Sequence, residues 1–202
     1  MPTALRRPGF SAEPGAMRII RSAALIPAPW KNGGGITRDI AGIADRLGPL
    51  WRLSLADIDR DGPFSAFPGL HRILTVVAGE GLVLDLPGGP RCVTRLCPVS
   101  FDGAVPVTAR LTKGTVRALN VMCRKDVVAS VATLSGAARH TVAAEPGETV
   151  MVHIVAAGAV GNGVDLDPGD TVLCVAGTFD LPQGGEAVCI SMTHRPAGPA
   201  AK

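Results

Sequence analysis

The sequence predicts an all-β protein, built as two barrel- or sandwich-like units in one chain. Three observations lead there. Short runs rich in β-branched and aliphatic residues recur along the chain, each stopped by glycine, proline or an acidic turn residue. No segment after residue 17 carries a helical apolar stripe longer than two turns. The strand pattern restarts after Lys125, which divides the chain into two sets of short strands, the second smaller.

The elements follow in order. Residues 1–16 hold Pro2, Pro8-Gly9 and Pro14-Gly15 without periodicity and are expected to form a mobile tail. Met17 opens MRIIRSA, the first strand of a first barrel expected over residues 17–124. WRLSLADI alternates, with Trp51, Leu53 and Leu55 on one face and Arg52, Ser54 and Ala56 on the other. RILTVVAGEGLVLDL reads as two strands around Gly79-Glu80-Gly81, a hairpin signal. PGGP at 87–90 is a further turn, and TVRALNVM places Val116, Ala118, Asn120 and Met122 on a shared face. Beyond Lys125, VVASVATL, ARHTVAA, TVMVHIVAAG, TVLCVAGTFDL and EAVCISM supply a second, shorter barrel at 125–195, and 196–202 form a C-terminal tail. Two of these strands follow matching turns, EPGET at 145–149 and DPGDT at 167–171. In each, proline presets φ, glycine takes the strained position and an acid leads into the strand.

Composition narrows the function classes. With 202 residues, 47% of them hydrophobic, the chain can bury a sizeable core. The net charge is +3, and no basic run exceeds Arg6-Arg7 or Arg124-Lys125, so no stripe for nucleic acid forms. The five cysteines, Cys92, Cys97, Cys123, Cys174 and Cys189, are odd in number and contain no C-x-x-C, which favours reduced thiols over a disulfide framework. The N-terminus lacks the apolar core of a secretory signal. The longest uncharged stretch, 149–164, includes a histidine and falls short of the ~18 apolar residues a membrane helix needs. A cytoplasmic protein with no membrane or nucleic-acid partner is expected.

The chemistry centres on PWKNGGGITRDI. A Walker loop needs lysine after its glycines, whereas Lys31 precedes Gly33, Gly34 and Gly35. A dinucleotide fingerprint fails because Arg38 stands where its third glycine belongs. Two readings stay open: a tight bend without ligand, or a loop passing close to a bound molecule with Trp30, Lys31 and Asn32 beside it. The four histidines, His71, His140, His153 and His194, show no H-x-H spacing; His140 and His153 can meet across a sheet, and they read as a pair of core or surface histidines before a zinc or iron site. No G-x-S-x-G occurs, and Cys123 reads as a small buried hydrophobe.

Arginines lie near the aromatics. Trp30, Trp51, Phe64 and Phe67 share one stretch of chain with Lys31, Arg38, Arg52, Arg60 and Arg72. Flat apolar walls beside a guanidinium suit a small planar carboxylate, which arginine grips through two parallel hydrogen bonds. Two or three such bonds at roughly 1.5–3 kcal/mol each support micromolar binding once ordering costs are subtracted. Arg60, in DIDRDG, reads as solvent-exposed, while Arg72 heads a strongly apolar strand and is the leading candidate. Asn120 must satisfy its amide on backbone groups or on a ligand inside the barrel.

PWKNGGGITRDI, WRLSLADIDRDGPFSAFPGLHR, VAGEGLVLDL and GTVRALNVM occur in this order across residues 17–123, and with them the chain resembles the HutD/Ves family of bicupins. The resemblance implies two stacked cupin barrels of the double-stranded β-helix, or jelly-roll, type in one chain. It also implies a role near histidine utilisation, with urocanate and N-formylglutamate as candidate ligands. Trp30, Lys31 and Asn32 match the family's W-K-N, and Gly33, Gly34 and Gly35 its glycine run. Trp51, Arg52 and Ser54 match W-R-x-S, Phe64 and Ser65 match F-S, and Arg72 matches the arginine after the next P-G. Asn120 matches the asparagine of a D-x-N whose aspartate is here Ala118, a departure that bears on ligand preference. His71, just before Arg72, is a candidate for the missing polar contact.

The expected function is therefore non-enzymatic binding of a small carboxylate, as a sensor or moderator, with no catalytic residue, cofactor or metal. Arg72 is its main anion partner, Arg52 and Asn120 are secondary, and Trp51 or Phe64 forms an apolar wall. The glycine bend lets the Trp30–Asn32 segment close over the mouth. A metal-dependent or metal-free cupin enzyme acting on a small organic acid, and a protein-interaction module, are the alternatives. Edge strands leave a homodimer open.

Overall fold

The computed structural model describes residues 17–195, so the expected tails at 1–16 and 196–202 lie outside the described residues. Most of the described chain is strand, with a short 3-10 turn at Ser22–Ala24 and no α-helix. The chain opens with β1 (Met17–Ile20), β2 (Pro27–Pro29), β3 (Gly35–Asp45) and β4 (Gly48–Ile58). It continues through β5 (Gly62–Pro63), β6 (Leu70–Ala78), β7 (Leu82–Leu86) and β8 (Gly89–Val93). Next come β9 (Val99–Asp102), β10 (Thr108–Leu111) and β11 (Val116–Arg124). After Lys125 follow β12 (Val127–Ser135), β13 (Ala138–Ala143), β14 (Glu148–Ala156) and β15 (Ala159–Gly161). The last four are β16 (Val164–Leu166), β17 (Thr171–Cys174), β18 (Ala176–Leu181) and β19 (Glu186–His194).

These strands form two units. One holds Ala23–Ala41 and Arg52–Lys125. Its six-stranded sheet runs β2-β3-β4-β11-β6-β9 and its four-stranded sheet β5-β10-β7-β8. Leu74 and Val76 from the larger sheet meet Leu82, Leu84 and Ala109 from the smaller in one core, all fully buried. Each buried Leu or Val there contributes roughly 1.5–3 kcal/mol. The period-two pattern of β6 puts Arg72 on the same inward face as Leu74 and Val76, at the end of that core.

The other unit holds 17–22, Gly42–Trp51 and 126–195. Its sheets run β1-β17-β14-β19-β12 and β13-β18-β15-β16. Phe179 fills its interior: a Cβ on Gly161 would lie 3.2 Å from the ring, and one on Gly177 3.3 Å. Both matching turns close with the same backbone bond, Glu148 N to Glu145 O at 2.9 Å and Asp170 N to Asp167 O at 3.0 Å. Among the described residues no helix is long and apolar enough to cross a membrane.

Two expectations change. MRII is a strand, but it pairs with β17, Met17 opposite Cys174 through Ile20 opposite Thr171, and so belongs to the second unit rather than to a first barrel beginning at residue 17. Asp170 fixes this start by accepting from Arg21 Nη1 at 2.7 Å and from the Ser22 amide at 2.8 Å. A strand's pattern reveals its faces, not its neighbour. Gly79-Glu80-Gly81 does separate two strands, but β6 and β7 lie in different sheets and form no hairpin. Here the glycines serve a crossing between sheets. A Cβ on Gly79 would sit 2.6 Å from the Thr115 carbonyl oxygen, and one on Gly81 2.6 Å from that of Val93.

Candidate functional site

The first unit encloses a cavity of about 610 Å³. β4 contributes Arg52, Ser54, Ala56 and Ile58, the face that alternation separates from Trp51. β11 adds Asn120 and Met122, β6 adds Arg72, and Trp30, Phe64 and Phe67 supply aromatic walls. The lining carries three cationic side chains, Lys31, Arg52 and Arg72, and no acid, histidine or cysteine.

Arg72 is 4% exposed. In register it faces Phe101 on β9 and Met122 on β11, so all three point to the same side. Its guanidinium carbon lies 4.9 Å from the Phe101 ring centre and 5.4 Å from those of Phe64 and Phe67. Nη2 donates to Asn120 Oδ1 at 3.0 Å and Nη1 to the Ser65 carbonyl at 3.4 Å, while the buried Nε has no partner. No carboxylate among the described residues pairs with it. Desolvation by burial, with Arg52 nearby, lowers its pKa to about 10. Arg52 differs: its Nε donates to Asp39 Oδ1 at 2.6 Å, so its charge is already answered.

The glycine run makes a tight bend. Trp30 N donates to Gly35 O at 2.9 Å and Gly33 N to Trp30 O at 3.0 Å, while the Asn32 side chain accepts from Gly34 N at 3.0 Å. Gly33 takes φ +66°, and a Cβ on Gly35 would sit 2.3 Å from the Asp57 carbonyl oxygen. The bend leaves Lys31 and Asn32 exposed at the cavity edge. It also anchors Trp30, whose indole N–H donates to Thr37 Oγ1 at 2.7 Å and whose ring meets Phe64 edge-on at 6.0 Å. Beneath it, Asp57 accepts from Arg38 at 2.5 Å and from Arg117 at 2.5 Å. Burial alone would raise the pKa of this carboxyl, but the bonds from Arg117 and Arg38 outweigh that and hold it below its usual value.

The structure brings together Trp30, Lys31, Asn32, Arg52, Ser54, Phe64, Arg72 and Asn120 around this cavity. Trp51 does not join them: it is 6% exposed but lies on the opposite face of β4. His71 is exposed and faces away from its neighbour Arg72. Ala118 sits fully buried in the apolar core and not on the cavity. His140 and His153 fall in different sheets of the second unit, and His153 Nδ1 lies 2.9 Å from Thr171 Oγ1. Among the described residues no group of three His, Cys, Asp or Glu can hold a metal ion. Sequence reasoning missed Phe101, which stacks on Arg72, and Thr37, which holds the Trp30 indole.

Two facing antiparallel sheets around a cavity lined by cationic and aromatic side chains define a cupin-fold protein. The chain belongs to the HutD family, whose sequence model matches residues 22–190. Over 111 residues it is 39% identical to an uncharacterized 21.2 kDa protein in the hutC 3′ region of Pseudomonas putida, a match covering 52% of this chain and 57% of that relative. It is 35% identical over 100 residues to Protein Ves of Citrobacter koseri, covering 48% of this chain and 52% of that one. The chain thus spans about half the length of the curated relatives it matches. It is similar to the structure of HutD from Pseudomonas fluorescens SBW25, with TM-score 0.78 and 32% identity over 89% of this chain and 100% of that one. Likeness to the bacterial pirin YhhW of Escherichia coli, with TM-score 0.64 and 10% identity over 89% of this chain and 100% of that one, is one of fold alone. The expected cupin fold and HutD/Ves membership both hold.

Proposed function

We propose that this HutD-family protein binds a small organic carboxylate in its first barrel, without transforming it, as a sensor or moderator of histidine utilisation. One observation carries the reading: Arg72 is a buried cation that opens onto a cavity and has no counter-charge from any described residue. A desolvated guanidinium left unpaired is costly, and an incoming carboxylate supplies the missing partner. Each charge-assisted bond so formed contributes roughly 1.5–3 kcal/mol. Lys31, exposed at the cavity edge, draws anions toward it, while Arg52 is already paired with Asp39. The lining holds no acid, histidine or cysteine to move a proton or attack a substrate, which supports binding over acid–base or nucleophilic chemistry.

Urocanate and N-formylglutamate are the proposed ligands, since both are small carboxylates and the Pseudomonas putida relative lies in a hutC 3′ region. The volume of about 610 Å³ accommodates either. Calorimetric titration of the full chain with both acids tests the proposal, repeated on Arg72→Ala. Micromolar affinity for at least one, weakened about 100-fold or more in the variant, is expected. Absence of binding to both, or equal affinity in the variant, overturns it.

A further inference from the structure

The cavity offers hydrogen-bonding groups that a bare carboxylate does not use. Ser54 is 2% exposed and lines the cavity on β4, between Arg52 and Ala56 of the same face. Its hydroxyl has no protein partner among the described residues. Thr37 differs, because its hydroxyl already receives the Trp30 indole N–H. On the neighbouring strand β11, Asn120 spends its Oδ1 on Arg72. That bond fixes the amide orientation and leaves Nδ2 as a donor without a protein partner among the described residues. Asn120 is 4% exposed. Neither the Ser54 hydroxyl nor Asn120 Nδ2 is among the buried unpartnered polar atoms of the described residues, which are Arg72 Nε and His140 Nε2, so both face the cavity, and a ligand that covers them without bonding them carries a penalty. The remaining walls nearby, Ala56, Ile58, Phe64 and Met122, cannot bond either group.

Resting on the carboxylate reading, we infer that Ser54 and Asn120 Nδ2 together read a second, uncharged heteroatom on the body of the ligand. Arg72 holds the carboxylate, Asn120 Nδ2 donates to a ring nitrogen or amide oxygen, and Ser54 donates to or accepts from the same group. The ligand class is then a carboxylate carrying a hydrogen-bonding ring or amide. Pure hydrocarbon acids of the same shape are rejected, because they strand the two buried polar groups. Ser54 is the specificity-determining residue of the pair, since its truncation removes a polar group without disturbing the Arg72–Asn120 bond.

The test uses matched acids on the full chain by calorimetry. Urocanate is paired with trans-cinnamate, which replaces the imidazole by phenyl. N-formylglutamate is paired with glutarate, which lacks the formamide. Wild-type protein is expected to prefer the heteroatom-bearing member of at least one pair by about tenfold or more. Ser54→Ala should shrink that ratio to within about threefold, the heteroatom-bearing member binding more weakly and the hydrocarbon member as well as in wild type or better, with the melting temperature little changed. The melting temperature separates lost recognition from lost folding. Equal affinity for both members of each pair in wild type overturns the role of Ser54 while leaving the carboxylate reading intact. So does a ratio preserved in Ser54→Ala. Failure of all four acids to bind sinks both.

Discussion

Arg72 donates a 3.0 Å hydrogen bond to Asn120, a neutral partner for a guanidinium that is 4% exposed. Three phenyl rings, from Phe64, Phe67 and Phe101, surround the charge, and no carboxylate among the described residues answers it. Ring quadrupoles and an amide dipole partly replace water around the cation, and the lowered pKa of about 10 records the shortfall. In free-energy terms the charged state is disfavoured by burial on the order of 3 kcal/mol. On the proposed reading, the site is kept poised for an anion at the expense of stability.

The first prediction follows from that strain. Arg72→Met keeps much of the apolar stem and removes the uncompensated charge. Its ligand-free melting temperature should equal or exceed that of wild type, even though carboxylate binding is lost. Differential scanning calorimetry checks this. A melting temperature several degrees below wild type would mean that the Asn120 bond and the ring contacts outweigh the burial cost.

The second concerns pH. A cation whose pKa is lowered by folding costs stability while it stays protonated, and the cost is relieved as pH rises through about 10. Carboxylate binding needs the protonated form. Affinity should therefore be flat from about pH 6 to about pH 9 and fall about tenfold per unit above the Arg72 pKa. Titrations across that range test it. With N-formylglutamate, which has no imidazole of its own, a break between about pH 6 and 7 would implicate a histidine, and none lines the cavity among the described residues.

The third separates adjacent glycines. Gly35→Ala forces a methyl to within 2.3 Å of the Asp57 carbonyl oxygen, which lies in a strand and cannot yield cheaply. Gly34→Ala meets movable side chains, Asn32 at 3.3 Å and Arg60 at 3.7 Å. Urea denaturation should show a loss of about 3 kcal/mol or more for the first and about 1 kcal/mol or less for the second. Equal losses would mean that the bend relaxes as a whole.

The fourth concerns acid stability. Asp57, held below its usual pKa by Arg117 and Arg38 against the opposing effect of burial, stabilises the fold above its unfolded value near pH 4. That contribution fades as pH falls through the depressed folded value. Asp57→Asn should cost about 1–3 kcal/mol at neutral pH and flatten the acid limb of the stability curve. An unchanged acid limb would locate the acid sensitivity elsewhere, with Asp170 the next carboxylate to test, since its pKa is also lowered.

Much of this was legible in the sequence, for a physical reason. Alternation along RALNVM put Asn120 on one face with Val116, Ala118 and Met122, Arg72 stood at the head of a strongly apolar strand, and polar groups at such positions called for partners. Trp51 shows where burial misleads: β4 is buried on both faces, with Leu53 at 0% and Ser54 at 2% exposure, so a buried aromatic on it need not face the cavity. Phe101 was not legible because it joins Arg72 only through the pairing of β6 with β9, and pairing is a tertiary fact. The same limit hid the pairing of β1 with β17 and turned the Gly79–Gly81 crossing into an expected hairpin.

The most direct measurement is the nitrogen-15 spectrum of the arginine Nε–H groups during titration with urocanate and N-formylglutamate, assigned with Arg72→Lys. The account predicts that the buried Arg72 Nε–H signal, unpartnered in the free protein, shifts saturably with one of these acids and is missing from the variant spectrum. An Arg72 signal that stays still while both acids reach saturating concentration, or while the Arg52 signal moves instead, would contradict it.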